Sequence, residues 1–228
     1  FIDPTTGLTY NKAFFQPLRR NVEGGPRRAD LQHTSYRTLV GTKGDINNAW
    51  SYDAYYQFGR TVYAQTYENE LSIARLTRAL DVVSGPGGTP VCRSVVDGTD
   101  PNCVPYDILS GGRISDAAAS YLSAVGFQRG NVDQHIASAA LTGQLGEYGA
   151  KTPWASDGLA VAVGAEWRRD SLNFNTDQAF QTGDLTGQGA PTLPVSGSIT
   201  VRDLFAEAQL PLVYQGAVED LTLNTGYR

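Results

Sequence analysis

Cys92 and Cys103 lie close together in the stretch "PVCRSVVDGTDPNCVP" and are the only thiols in the chain. Oxidised, they would close a loop of about a dozen residues and stabilise it by about 3 kcal/mol. The intervening Asp97-Gly98 and Asp100-Pro101-Asn102 are turn formers that bring the two ends together. Two reduced thiols in a cytosolic loop are the alternative. A metal site would need more ligands, and no histidine lies within about twenty residues of either cysteine. A disulfide implies an oxidising compartment. The histidines, His33 and His135, are far apart, and neither sits in a motif, so surface or lumen positions are expected for both. The run "DGTDPN" (97–102) offers oxygen ligands without EF-hand spacing and is expected to form a turn. The chain contains no G-x-S-x-G, Walker A or H-E-x-x-H sequence. No catalytic residue, cofactor or metal is therefore expected, and the chain is not read as an enzyme.

The elements that must position these groups are strands. Hydrophobic residues make up 41%, enough for a packed protein, whereas charged residues are only 18% and Gly (25) and Tyr (12) are plentiful. That balance belongs to an all-β protein with many turns. The net charge of −5 argues against a nucleic-acid partner, which calls for a basic face. No run approaches the roughly 18 apolar residues of a membrane helix. The opening Phe1-Ile2-Asp3-Pro4 has neither a basic start nor an apolar run, and methionine is absent throughout. The chain is accordingly expected to be a mature fragment or an excerpt of a longer one.

Strand character is expected over 31–45, then over "WSYDAYYQFGRTVYAQTY" (50–67) after the tight link "INNA". A long insertion, 68–130, carries the cysteines and two short helices, one near 70–82 and one after Ser115, a good N-cap. Strands follow at 132–146, from 159, at 200–213 and at 221–228, separated by "EYGAKTPWASDG", "TGDLTGQGAPTLPVSG" and "YQGAVED". The connections thus alternate: short, very long, medium, long, short. An up-and-down barrel in an outer membrane has short turns on one side and long loops on the other.

Alternation within the strands sharpens this reading. In 50–67 the even positions, Trp50 through Tyr52, Ala54, Tyr56 and Phe58, are apolar or aromatic, and the odd positions are mostly polar. Ten steps from Trp50 to Arg60, tilted by about 45°, project to roughly 23 Å, close to the apolar band of a membrane barrel. Trp50 and Tyr52 would then lie at one interface, and Arg60 would reach headgroups at the other. Leu159, Val161, Val163, Ala165 and Trp167 repeat the pattern, with Arg169 next on that face. Leu204, Ala206, Ala208, Leu210, Leu212 and Tyr214 form a third such row. The expected lipid-facing girdle is Trp50, Tyr52, Trp167 and Tyr214. Glu166, Arg168 and Glu207 fall on the opposite face, where a wet lumen would solvate them.

Several longer stretches carry a resemblance. "RRNVEGGPR" (19–27), "GTKGDINNAWSYDAYYQFGRT" (41–61), "PVCRSVVDGTDPNCVPYDI" (90–108), "YGAKTPWASDGLAVAVGAEWRRDSL" (148–172) and "AFQTGDLTGQGAPTLPVSGS" (179–198) are similar to the β-barrel of TonB-dependent outer-membrane receptors. The likeness is to the large receptors of sphingomonads, caulobacters and xanthomonads, and it covers nearly the whole chain. It implies an all-β, antiparallel, up-and-down transmembrane β-barrel segment with long extracellular loops: about six strands of a 22-stranded barrel. It also implies a plug domain elsewhere in the parent protein and energy from the TonB complex. The imported ligand would be scarce: a siderophore, cobalamin or an oligosaccharide. Neither a plug nor a TonB box is visible, so residues 1–228 are expected to be part of one barrel domain whose plug and remaining strands lie outside this chain.

The resemblance places the ligand between the plug and the outer loops, here 1–28, 68–130 and 173–197. Tyr63, Gln65, Arg168 and Asp170 are the wall residues expected near the upper strand ends, as lumen, plug or ligand contacts. The expected partners are outer-membrane lipid, the plug, the TonB complex and a small-molecule ligand, and the expected location is the cell outer membrane. The competing reading is a soluble secreted β-domain, a carbohydrate-binding or adhesive module. Burial of Trp50, Tyr56 and Trp167 against a second sheet would favour it.

Overall fold

Strands dominate because β-branched and aromatic residues alternate with polar ones over most of the chain. The computed structural model describes residue 7 and residues 19–110, 114–216 and 218–228; the opening Phe1-Ile2-Asp3-Pro4 and most of the first loop lie outside these. Six long strands form one sheet in the order β1 (Arg28–Asp45), β2 (Trp50–Leu71), β5 (Ser123–Gln144), β6 (Ala160–Thr176), β7 (Val195–Tyr214) and β8 (Asp220–Tyr227). A separate hairpin pairs β3 (Val82–Ser84) with β4 (Pro90–Cys92). The helices are α1 (Ile73–Leu80), α2 (Arg93–Val96), α3 (Asp116–Leu122) and α4 (Gln178–Thr182). None is long and apolar enough to cross a membrane.

The long strands pair with their neighbours in chain order, the up-and-down arrangement expected from the alternating connections. The β5–β6 register runs unbroken from Gln128↔Thr176 to Gln144↔Ala160, and β6–β7 from Ala160↔Gln209 to Phe174↔Val195. Both pairs are antiparallel, as is β7–β8, whose register slips once between Pro211 and Val213. Proline has no N–H to give the ladder, so a bulge beside it is where the irregularity belongs. The sheet is open, with β1 and β8 at its edges. β5 begins nine residues before the expected 132, and β7 begins five before the expected 200.

The chain divides into two compact units. One comprises Ala29–Tyr67, Gly126–Gly183 and Gln188–Arg228; the other comprises Phe1–Arg28, Glu68–Val125 and Asp184–Gly187. In the first unit, the sheet, Ala49 and Phe180 are the only buried apolar side chains among the described residues. No second layer of described residues seals either face. Tyr56 is 46% exposed and Leu204 76%.

The second unit, the lobe, does have a core: Leu71, Ala79, Cys92, Cys103, Tyr106, Ile114, Ala118 and Leu122. Cys92 and Cys103 are joined in a disulfide with Cα atoms 6.1 Å apart. Two capped helices frame this core. Ser72 Oγ accepts from Arg75 N (3.1 Å) at the start of α1. Asp184 accepts from both Ala74 N and Ser72 Oγ (2.7 and 2.6 Å). Ser115 Oγ accepts from Ala118 N at the start of α3, as its position predicts. The acidic run 97–102 makes turns: Asp97 Oδ1 accepts from Thr99 N, and Asp100 Oδ1 from Asn102 N.

Two carboxylates of the lobe are held ionised. The hydroxyl of Tyr121, donating at 2.8 Å, keeps Asp100 below its ordinary range, and Arg78 adds to this. Hydrogen bonds from Arg19 hold Glu23 at about 2, down from an ordinary 4.5, and Ile114 N also donates to it. A carboxyl depressed by folding stabilises above its unfolded value and loses that contribution as pH falls through its folded value. The lobe is therefore expected to keep its protease resistance from neutral pH down to about pH 4 and to lose it towards pH 2. Limited digestion with an acid-active protease, read by mass, checks this; a loss complete by pH 5 would contradict it.

Candidate functional site

Parity along the registered strands sorts every side chain of the sheet onto one of two faces. The apolar face is set by rungs such as Ala139↔Ala165↔Leu204 and Leu141↔Val163↔Ala206. Trp50 lies on this face, over Gly143, where an added Cβ would meet its ring at 2.7 Å. Toward one end of the face the character changes. Arg60 Nε and Nη2 donate to the two oxygens of Asp133 at 2.5 and 2.6 Å. Beside this pair, Tyr56 Oη and His135 Nδ1 are 2.6 Å apart, and His135 lies 5.0 Å from the Phe58 ring and 6.5 Å from that of Trp167. Arg60 thus has a fixed partner on its own face, one that the strand's sequence alone gave no means of finding.

The other face is a polar wall. Gln57 Nε2 donates to Gln134 Oε1 (3.3 Å), and Gln134 Nε2 donates to Asp170 Oδ1 (2.9 Å), linking three strands. Arg168 Nε stands 3.3 Å from Asp170 Oδ2, close enough for attraction but off line for a hydrogen bond. It has no acceptor among the described residues. Farther along, Arg228 Nη2 bridges Glu166 (3.2 Å) and Asp203 (2.7 Å). Charges this numerous are tolerated on a sheet face only where water or partners reach them.

The four expected wall residues fall into two groups. Arg168 and Asp170 meet at the level of Gln134. Tyr63 Oη is flanked by Gln65 and by Gln128, the latter 3.1 Å away, and its ring lies 5.2 Å from His33 and 6.2 Å from Phe174. Gln134 and Gln128 are six residues apart on β5, about 20 Å along the strand. Tyr63 and Gln65 lie eight and six residues before the end of β2 at Leu71. Arg168 and Asp170 lie eight and six residues before the end of β6 at Thr176. The girdle residues likewise separate along the strands. Trp50, Tyr52 and Tyr214 lie toward the short links 46–49 and 215–219, and Trp167 lies in the middle of β6.

Within the lobe, a hollow of about 560 Å³ is lined by Arg19, Arg20, Asn21, Arg27, Asn69 and Leu71, among others. Its volume suits a small ligand. Asn69 adopts φ 60°, a left-handed conformation that asparagine tolerates better than other side-chain-bearing residues, and its Nδ2 donates to Pro26 O at 2.7 Å. Asn21 Oδ1 is buried with no hydrogen-bond partner among the described residues. Glu23 and Glu70 take up two of the guanidiniums, those of Arg19 and Arg27. The Glu70 side chain is only 4% exposed and also accepts from Gly187 N at 3.0 Å and Thr186 Oγ1 at 3.3 Å. Removing its cation leaves a buried charge, whereas removing the carboxylate leaves Arg27 half in water. Arg27→Ala is therefore expected to destabilise the lobe by about 3 kcal/mol, and Glu70→Gln by about 1 kcal/mol. Thermal unfolding of the two variants followed by lobe proteolysis checks the asymmetry, and equal losses would refute it.

No group of three or more His, Cys, Asp or Glu side chains among the described residues is arranged to hold a metal ion. Comparison with family models, with curated proteins and with solved structures finds no match to this chain.

Proposed function

We propose that this chain forms part of the wall of an outer-membrane β-barrel, one of TonB-dependent receptor type that imports a scarce small molecule. One observation carries the reading: a sheet of strands up to 22 residues long has two unlike faces, and no layer of described residues covers either. The apolar face leaves Leu141, Val163, Leu204 and Leu223 all open. A soluble monomer rarely tolerates an exposed patch of that extent. Lipid on that face and a wet lumen on the other accommodate both sets of side chains. The open edges β1 and β8 then pair with further strands of the parent barrel, since unpaired backbone groups in lipid cost several kcal/mol each. A secreted sandwich would need a second sheet over Tyr56, which is half exposed here.

In this reading the lobe belongs to the extracellular side, with its disulfide in an oxidising space. The hollow beside Asn21 is the space left open to a ligand or the plug. The siderophore, cobalamin and oligosaccharide classes come from the sequence resemblance alone. Fractionation of cells expressing the parent protein tests the proposal. It should sediment with outer membranes, require detergent for release and support ligand uptake only in cells with a working TonB complex. A stable monomer in buffer without detergent would overturn it.

A further inference from the structure

The apolar face carries a groove of about 650 Å³ where side chains are smallest. Two rungs build it. Ala139, Ala165 and Leu204 lie side by side across β5, β6 and β7, and the next rung on the same face is Ala137, Trp167 and Arg202. Three alanines make the floor, and Trp167 and Leu204 rise from it. The rung beyond is His135, Arg169 and Thr200, so Arg169 and Arg202 are diagonal neighbours across β6 and β7, within reach of each other's long side chains.

Arg60, elsewhere on this face, is clamped by Asp133. Arg169 and Arg202 are exposed and have no ion pair among the described residues; the one side-chain hydrogen bond of Arg169 is to Ser198 Oγ at 3.4 Å. Two uncompensated guanidiniums at the end of an apolar groove have the complementarity of an anionic amphiphile. The groove takes a hydrocarbon chain, and planar forked donors take phosphate oxygens. A free phosphate would gain nothing from the alanine floor.

We propose that this groove holds one acyl chain of a phosphate-bearing membrane lipid whose headgroup rests on Arg169 and Arg202. The proposal rests on the reading of this face as lipid-facing. The test uses the full parent protein purified in a neutral detergent, with binding measured for phosphatidylglycerol and for phosphatidylcholine of identical chains. Phosphatidylglycerol should bind about tenfold tighter, the factor expected of one charge-assisted contact. The double variant Arg169→Gln, Arg202→Gln should lose that preference while still binding phosphatidylcholine. Ala165→Leu, at an exposed position, should weaken both lipids by filling the floor. A preference that survives the double substitution, or a wild type without one, overturns the site. So does inorganic phosphate that competes as well as the lipid. If the parent protein sediments with outer membranes yet shows no preference, the lipid site falls and the barrel stands. If it is soluble without detergent, both fall.

Discussion

Val163→Arg is expected to destabilise the parent barrel by about 2 kcal/mol, whereas Ala162→Arg, one residue earlier, should change its stability by less than about 1 kcal/mol. Val163 lies on the apolar face three residues into β6, one rung inside the level of Trp50 and Gly143, between Leu141 and Ala206. Ala162 lies on the polar wall, between Thr142 and Glu207, where an added cation finds water and a carboxylate. A third variant supplies the depth dependence. Ser171→Arg is on the same face as Val163 but eight residues along, near the headgroup end, and should cost less than about 1 kcal/mol. Urea titration of the three variants refolded into phosphocholine bilayers measures these differences. A cost that is uniform along one face belongs to a protein core; a cost that fades toward the strand end belongs to a bilayer. Equal effects at 162 and 163 would sink the assignment of two solvents to two faces.

Breaking the Cys92–Cys103 bond should weaken the lobe by about 3 kcal/mol, the chain entropy that an eleven-residue separation restores to the unfolded state. Cys92 is fully buried and both sulfurs belong to the lobe core, so the paired substitution Cys92→Ala, Cys103→Ala also removes apolar contacts. Reduction of the wild type leaves those contacts largely in place, which separates the two contributions. Protease cutting between residues 93 and 110 should rise on reduction and rise further in the double variant, read by mass spectrometry of the fragments. The sheet, whose described residues form their own unit, should keep its strand signal in both cases. Identical cutting of oxidised and reduced protein would show that the bond contributes nothing to the lobe.

Strand identity and parity were legible because alternation is local: the even residues of 50–62 and the odd residues of 161–169 fall on one face, as their spacing requires. Strand starts were less legible where glycine intervenes. Gly126 and Gly130 made residues 123–131 look like the tail of an insertion. Gly130 instead admits the backbone of β6, since a Cβ there would meet Asn173 O at 2.8 Å. Residues 195–199 were hidden in the same way by a stretch rich in Pro, Ser and Gly. The helix near 70–82 contracts to Ile73–Leu80, because the strand ahead of it runs on to Leu71. Long-range pairings left no local trace. Asp133 beneath Arg60, and Gln134 between Gln57 and Asp170, follow from a register that only the folded ladder reveals. The grouping of Tyr63 with Gln65, apart from Arg168 and Asp170, depends on that register too.

The base of the lobe has a consequence for assembly. Every neighbouring pair in the sheet is close in sequence except β2 and β5, which are separated by residues 72–122. Closing a flexible loop of that length carries a length-dependent entropy of about 3.5 kcal/mol. Ser72 N donates to Leu122 O at 3.0 Å, so the lobe, once folded, holds the end of β2 against the start of β5. A lobe that folds early thereby turns the one distant pairing in the sheet into a local one. Its rate of formation, rather than its final stability, would then set how fast β5 zips onto β2 and how long two bare strand edges wait for partners.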